Sequence, residues 1–245
     1  MFPIRDLNPT NIRPYVTVAL ILVNVAVYFL WQPQGEPQAQ LEFVYAHAII
    51  PCEATTFEPL TAREANSGLC TDGDPVREQL FPGKQVLLAG LTSMFLHGSI
   101  VHLLGNMWML WIFGNNIEEA FGRVGYLATY LLAGLVGTAA FVEFQPASTV
   151  PLVGASGAIA GILGAYFILY SRRTVLSLVG FWLLPLPAWV FLGIWFLSQF
   201  VVGDASIAWE AHVFGFLAGL IVATLGLPML KDRAGMTSFW GRRGP

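Results

Sequence analysis

Charge is what this sequence has least of. Of its 245 residues only 11% are charged, whereas 56% are hydrophobic, and the mean hydropathy is +0.64. Soluble domains carry roughly a quarter charged residues, so this composition predicts a protein that lies in a lipid bilayer. The formal net charge of −3 provides no basic surface for nucleic acid, and no nucleic-acid partner is expected.

No removable secretory signal is expected, and internal repeats and low-complexity tracts are not evident. No small-residue cleavage pattern follows the first apolar run, so that run is predicted to be a retained helix. A membrane-spanning helix needs about 20 mainly apolar residues. Six such segments are predicted: 15–31, 96–113, 124–144, 152–170, 179–202 and 207–227.

These segments divide the chain into five parts. The parts are a cytoplasmic N-terminus (1–14), a first transmembrane helix (15–31), an external loop (32–85), a five-helix core (86–228) and a cytoplasmic tail (229–245). Nine of the twelve Lys and Arg residues fall in segments assigned to the inside, and only Arg63, Arg77 and Lys84 fall outside. Because positive charge marks the cytoplasmic side, we expect a multi-pass plasma-membrane protein with both termini inside.

Cysteine is scarce as well, and both cysteines lie in the predicted external loop. On that side of the membrane a disulfide between Cys52 and Cys70 is chemically allowed. A disulfide is the favoured interpretation, and two unpaired thiols are the alternative. The fold and role of the loop and the oligomeric state of the protein are left open by the sequence.

A few polar residues interrupt the apolar segments. His102 and Asn106 are four residues apart and share a helical face. Ionisable groups inside a membrane are functional candidates by default, although a hydrogen-bonded pair that joins two helices is the alternative. His97 is rotated away from that face, and we expect it to be structural, holding the loop that enters the helix.

Small residues predict which helices pack together. Gly154 and Gly157 flank Ser156 and allow close backbone approach. Small residues spaced by four let membrane helices pack closely. This spacing occurs at Gly157 and Gly161 in the fourth segment, and at Ala211, Gly215 and Gly219 in the sixth. We therefore expect these two helices to touch, which would bring Ser156 and His212 together near their outer ends.

Such a pair predicts nucleophilic catalysis. A serine hydroxyl becomes a strong nucleophile when a base such as His212 accepts its proton. His102, Asn106 and the backbone N–H of Ser156 are candidate donors to an oxyanion. No carboxylate in the membrane segments is placed to complete a triad, and Glu210 points away from His212 on a helix. A Ser-His dyad is therefore predicted.

Four stretches carry a resemblance to a known family: FPIRDLNPT, LTSMFLHGSIVHLLGNMWMLWIFGNNIEEAFG, GASGAIAGILGAYFILY and AHVFGFLAGL. With them the chain resembles the rhomboid intramembrane serine proteases of the six-helix bacterial kind. The resemblance implies an all-α six-helix membrane bundle with an extended first outer loop and a water-filled cavity open to the outside. It implies Ser156 as nucleophile, His212 as base, and His102 with Asn106 in the oxyanion hole. It also implies transmembrane protein substrates, and no metal or cofactor is expected.

The chain departs from the family at Ala160, where some members carry an aromatic residue that stacks on the catalytic histidine. Support for the His212 ring is then expected from Phe214 or from an aromatic residue of the fifth helix. The external loop also lacks the Trp-Arg pair of some members. Three alternatives are a non-catalytic member that binds membrane clients, a small transporter, and a metal site formed by His97, His102 and His212.

Two further local features are predicted. Pro185 and Pro187 lie in the fifth predicted helix and are expected to bend it, because proline lacks a backbone donor. Glu118, Glu119 and Arg123 are expected to form a solvated turn at the cytoplasmic end of the second helix.

Overall fold

The computed structural model describes residues 1–70, 78–201 and 208–233. Within these ranges the chain is mostly helical, with one small sheet. The helices are α1 (Tyr15–Ala26), α2 (Pro37–His47), α3 (Pro51–Thr56), α4 (Ala62–Ser67), α5 (Val86–Thr92), α6 (Ile100–Phe144), α7 (Ser156–Tyr170), α8 (Ala188–Ser198) and α9 (Trp209–Arg233). The strands are β1 (Phe2–Asp6), β2 (Thr174–Val179) and β3 (Trp182–Pro187), in the antiparallel order β1-β2-β3.

Among the described residues, two helical stretches, Ile100–Phe144 and Trp209–Leu230, are long and apolar enough to cross a membrane. The other apolar helices are shorter: Tyr15–Trp31 (in which one π-helical turn extends α1), Val86–Phe95, Ser156–Tyr170 and Ala188–Ser198. The six predicted spans are thus not all long helices in the structure.

Helix α6 contains the second and third predicted segments joined at Gly122. This residue has φ 71° and ψ 165°, a conformation that glycine adopts without a side-chain penalty. The start of α6 differs from the prediction, because the helix begins at Ile100 rather than at residue 96. Ser99 caps it, and its hydroxyl accepts the His102 backbone N–H at 3.1 Å.

The prediction of a fifth helix over 179–202 is wrong in its first half. Residues 182–187 form strand β3, which pairs with β2 across a turn at Gly180, where φ is 60°. Pro185 and Pro187 explain the error, because each removes a backbone donor that a helix interior requires. Only α8 is helical, and Pro187 occupies its N-cap position.

The centre of the fold is α7, which packs against both α6 and α9. A Cβ atom on Gly215 would overlap the Gly157 carbonyl oxygen, and one on Gly219 would overlap that of Gly161. The backbones of α7 and α9 are therefore in direct contact along this glycine ridge. This contact sets the separation between the first turns of the two helices, where Ser156 and His212 lie.

Glu118 is not in a solvated turn as expected. Its side chain is fully buried, and its carboxylate accepts the backbone N–H groups of Val16 (3.0 Å) and Thr17 (2.8 Å). It also accepts the Thr17 hydroxyl at 2.9 Å. These bonds satisfy free donors of the first turn of α1 and place a negative charge at its positive end. Glu118 thereby attaches α1 to α6.

The described parts of the segment 32–85, residues 32–70 and 78–85, contain the short helices α2, α3 and α4 on the side of the molecule that carries Ser156. Cys52 and Cys70 form a disulfide that joins α3 to the chain after α4. Glu53 and Lys84, both buried, form an ion pair at 2.5 Å. The segment also supports the loop before Ser156, since the Leu152 N–H donates to the Ile49 carbonyl at 2.9 Å.

A polar cluster lies at the opposite end of the fold, around Asp6. The Asp6 carboxylate accepts the Asn8 backbone N–H at 2.8 Å and the Asn116 amide at 2.6 Å. Burial nevertheless raises the pKa of Asp6 from 3.8 to about 6. A carboxyl group with a raised folded-state pKa stabilises the fold at low pH, and this contribution is lost as the pH rises from about 4 to about 6.

Asp6→Asn is therefore expected to flatten the pH dependence of stability. A difference of about two pKa units between the folded and unfolded states changes the free energy of unfolding by roughly 2 to 3 kcal/mol between pH 4 and pH 7. Thermal unfolding in detergent should show the wild-type midpoint falling over this interval more than the midpoint of the variant. Glu42→Gln, on the exposed face of α2, is the control and should retain the wild-type slope. Equal slopes for wild type and Asp6→Asn would contradict this account of Asp6.

Candidate active site

Ser156 is the first residue of α7, and His212 lies in the first turn of α9. The Ser156 Oγ and the His212 Nε2 are 2.8 Å apart. The glycine ridge between the two helices allows this distance, because larger residues at Gly157 or Gly215 would separate the backbones. The structure thus brings together two residues, 56 positions apart in the sequence, that were singled out from spacing and depth.

The loop before Ser156 is held on both sides. The Gly154 N–H donates to the Ser93 carbonyl at 2.9 Å. Gly154 has φ 128°, and a Cβ atom there would lie 2.8 Å from both Cε1 and Nε2 of His102. Glycine is therefore required by both the backbone conformation and the imidazole beside it. This contact also places the His102 ring next to the loop that leads to Ser156.

Asn106 is buried one helical turn below His102. Its Nδ2 lies 3.0 Å from His97 Nε2, and the ring centroids of His97 and His102 are 5.1 Å apart in an edge-to-face arrangement. His97 therefore links the two predicted oxyanion residues. One N–H of the Asn106 amide points to His97, which leaves the second N–H for another acceptor.

His97 precedes α6 and anchors the loop that enters it. Its backbone N–H donates to Gln32 Oε1 at 2.9 Å, and Gln32 Nε2 donates to its carbonyl at 3.0 Å. This is the structural position expected for His97. Because His97 Nε2 faces Asn106 and His212 Nε2 faces Ser156, these nitrogens do not converge on a common metal position.

The His212 ring has a second polar partner that the sequence analysis missed. Gln199, at the C-terminal end of α8, places Oε1 2.7 Å from His212 Nδ1. Gln199 and Ser198 are the only polar residues in the predicted segment 179–202, which was the available signal.

Aromatic support of the His212 ring comes from the fifth segment. The ring centroids of Trp195, in α8, and His212 are 6.2 Å apart, and the two ring planes are tilted by 38°. Phe214, the other candidate, packs instead against Phe144 at 5.3 Å. Ala160 is fully buried in the core.

Comparison with known proteins adds an independent observation. A family model described as "Rhomboid domain" matches residues 85–229. Rhomboid protease GluP of Bacillus subtilis is 36% identical over 141 residues, which are 56% of this chain and 26% of GluP. Presenilin-associated rhomboid-like protein A, mitochondrial, of Danio rerio is 31% identical over 173 residues, 62% of this chain and 43% of that protein. Putative rhomboid protease YdcA of Bacillus subtilis is 28% identical over 137 residues, 55% of this chain and 65% of YdcA. The matches thus cover less than two thirds of each of these relatives.

Proposed function

Because the chain belongs to the rhomboid family, we propose that it is an intramembrane serine endopeptidase that cleaves transmembrane segments of other membrane proteins. The observation that carries this proposal is the 2.8 Å separation of Ser156 Oγ and His212 Nε2. Similarity to proteins named rhomboid proteases supports a hydrolytic activity.

In this proposal His212 Nε2 takes the proton of the Ser156 hydroxyl as the oxygen attacks the scissile carbonyl. The tetrahedral intermediate collapses when the imidazolium returns the proton to the leaving amine, and an acyl-enzyme remains. Water, deprotonated by His212, then hydrolyses the ester and regenerates Ser156. The chemistry uses side-chain and backbone groups of this chain, the substrate and one water molecule.

The oxyanion of the intermediate is proposed to bind to three donors. These donors are the Ser156 backbone N–H, the His102 imidazole and the Asn106 amide. The first is supported by its position at the start of α7, where N–H groups are free and the helix dipole favours negative charge. The second is supported by the contact of His102 with Gly154, and the third by the unused N–H of Asn106.

The proposed membrane arrangement has six crossings with an extended first outer loop. The crossings are α1 with its π-helical turn, the two parts of α6, α7, α8 and α9. We place residues 7–14 and the tail from 229 on the cytoplasmic side of the plasma membrane and 32–85 outside, with β1 running from the cytoplasmic interface at Asp6 along the inner part of α6. Residues 234–245 of the tail lie outside the described residues. The distribution of Lys and Arg supports this orientation, in which the Ser156 end of the core 86–228 opens to the external face.

Asn106→Ala is expected to retain partial activity. The variant removes one of three proposed oxyanion donors, and loss of one donor typically costs on the order of a hundredfold in rate. Initial rates of reporter cleavage measure the effect. Trp111→Phe, at an exposed position of the same helix, is the control and should cleave at the wild-type rate. A wild-type rate for Asn106→Ala would argue against an oxyanion role for this amide.

The test of the function is cleavage in a defined system. Purified protein in liposomes is incubated with a reporter that has a single transmembrane segment containing helix-destabilising residues. The expected result is two fragments whose masses place the cut in the outer half of that segment, because Ser156 lies toward the outer end. Intact reporter, or a cut confined to its soluble domains, would contradict the proposal.

A further inference from the structure

The Gln199 amide is held in a single orientation. Its side chain is 9% exposed, its Nε2 donates to the Trp195 carbonyl at 2.9 Å, and Ser198 Oγ lies 3.3 Å from the same nitrogen. Because the nitrogen is committed to these acceptors, the oxygen is the atom that faces His212 Nδ1 at 2.7 Å.

This orientation determines the tautomer of the imidazole. An amide oxygen can only accept a hydrogen bond, so the proton of neutral His212 lies on Nδ1. The lone pair of Nε2 then points at the Ser156 hydroxyl, 2.8 Å away. The opposite tautomer would put an N–H against the serine and could not accept its proton.

We propose that Gln199 is a positioning residue that fixes the tautomer and ring orientation of His212, so that Ser156, His212 and Gln199 act as a linear unit. This inference rests on the proposed function. It gives the ring a polar support at a site where Ala160 offers no stacking surface. An uncharged third member also suits a buried site among membrane helices, where an isolated carboxylate is costly.

The test compares the rate of fluorophosphonate labelling in wild type, Gln199→Leu and Gln199→Glu. Gln199→Leu removes the acceptor at similar side-chain volume and should slow labelling about tenfold to a hundredfold, less than the roughly 10⁴-fold loss known for a charged orienting residue. Gln38→Leu, which removes an exposed amide that donates to Glu42 at 3.0 Å within α2, is the control and should label at the wild-type rate.

Gln199→Glu separates positioning from a structural role. A carboxylate keeps the acceptor and stabilises the imidazolium, so the acid limb of the pH–rate profile should shift to higher pH. If both variants label at the wild-type rate with an unchanged profile, the role of Gln199 is overturned while the protease proposal stands. If wild type itself does not react, the proposed function fails and this inference fails with it.

A second inference concerns the β2–β3 hairpin. Asp6, at one end of β1, accepts the Asn116 amide, whereas Pro3, near the other end, accepts the Trp108 indole N–H at 2.7 Å. Strand β1 therefore follows α6 for about 12 Å from its inner part toward its middle. Because β2 pairs with β1, the hairpin rises along α6 instead of leaving the helical core.

The free edge of this hairpin is apolar and poor in donors. Phe181 is 100% exposed, Trp182 74% and Leu183 57%. Pro185 pairs with Leu176 and Pro187 with Thr174, and proline cannot donate toward the partner strand. The backbone hydrogen bonds between β2 and β3 therefore form at the pairs in between. The backbone nitrogens of Leu183, Pro185 and Pro187 face the free edge of β3, and of these three only the nitrogen of Leu183 carries a hydrogen.

We infer that the hairpin lies in the inner half of the bilayer, with the β3 edge against lipid acyl chains. Unpaired backbone donors are costly in hydrocarbon, and the two prolines remove them. The exposed face also continues into the outward residues of α8, namely Trp189, Ile194 and Leu197. The hairpin thus lies beside the inner part of the fifth crossing, and α8 makes that crossing from its inner end, where the Ala188 N–H donates to the Arg173 carbonyl at 2.7 Å.

Nitroxide labels test this placement in liposomes, because the native cysteines are paired in a disulfide. A label on Leu183→Cys should be accessible to oxygen and protected from a water-soluble nickel chelate. A label on Leu104→Cys, on the exposed face of α6, is the lipid-facing control and should behave in the same way. Gln38→Cys, in the external segment, is the aqueous control. A Leu183 label that behaves like the Gln38 label, or that is protected from both reagents, overturns lipid contact.

Discussion

Ser156→Ala is expected to abolish cleavage of a transmembrane reporter. The variant removes the only atom that the account assigns to attack the peptide bond, and a catalytic serine typically accounts for at least about 10⁴-fold in rate. The methyl group of alanine fits the space of the serine, so the helical contacts of α7 should persist. The measurement is the cleavage rate of the purified variant in liposomes, with unfolding temperature as the test of folding.

Two further variants are compared with Ser156→Ala. His212→Ala should fall near background, because Ser156 then lacks the base 2.8 Å from its hydroxyl. Thr224→Ala, which removes an exposed hydroxyl on α9 that donates to the Leu220 carbonyl of its own helix at 2.7 Å, should cleave at the wild-type rate. Cleavage that survives in Ser156→Ala would show that another residue performs the attack.

Gly219→Ala is expected to produce the largest loss of stability. A Cβ atom at this position would overlap the Gly161 carbonyl carbon and oxygen, which are backbone atoms and cannot move aside by a rotamer change. Overpacking of a tight contact typically costs 1 to 3 kcal/mol, and we expect about 3 kcal/mol or more because backbone must shift. The unfolding temperature in detergent should fall, and Ser156 and His212 should separate.

The matched control is Gly105→Ala. Gly105 also lies within a helix, in the first half of α6, but a Cβ atom there meets nothing within 4 Å. Alanine favours helix over glycine by about 1 kcal/mol, so this variant should be neutral or slightly stabilised. Equal unfolding temperatures for the two variants would show that the α7–α9 contact does not limit stability.

The pairing of Ser156 with His212 could be inferred from the sequence because it depends on regular quantities. Spacing of four between small residues indicated the helix contact, and the position of each residue within its apolar segment indicated its depth. Neither argument needs the structure of a loop. The rhomboid resemblance rested on the same residues and is matched by the family domain over 85–229.

Gln199 could not be inferred in the same way. The sequence predicted one long fifth helix, whereas the structure has a strand up to Pro187 and a short helix after it. Which face of that helix meets His212 depends on where α8 begins, and this start is set by pairing between β2 and β3. Strand pairing is a long-range contact that an apolar run does not reveal.

The burial of Glu118 could not be predicted from the sequence either, for a different reason. Its neighbours Glu119 and Arg123 made a solvated turn the simplest interpretation. Its burial depends on the first turn of α1, about 100 positions earlier in the chain, whose free N–H groups supply the compensating donors. Helix-capping interactions between distant segments have no local signal in the sequence.

The measurement that tests the central claim most directly is the site of fluorophosphonate attachment. Purified protein is labelled, digested and analysed by tandem mass spectrometry, which identifies the modified residue. The account predicts one adduct per chain on Ser156 Oγ, formed more slowly at low pH, where protonated His212 cannot accept the serine proton, and absent from Ser156→Ala. No adduct on the folded protein, or an adduct on another hydroxyl at the same rate in Ser156→Ala, would contradict it.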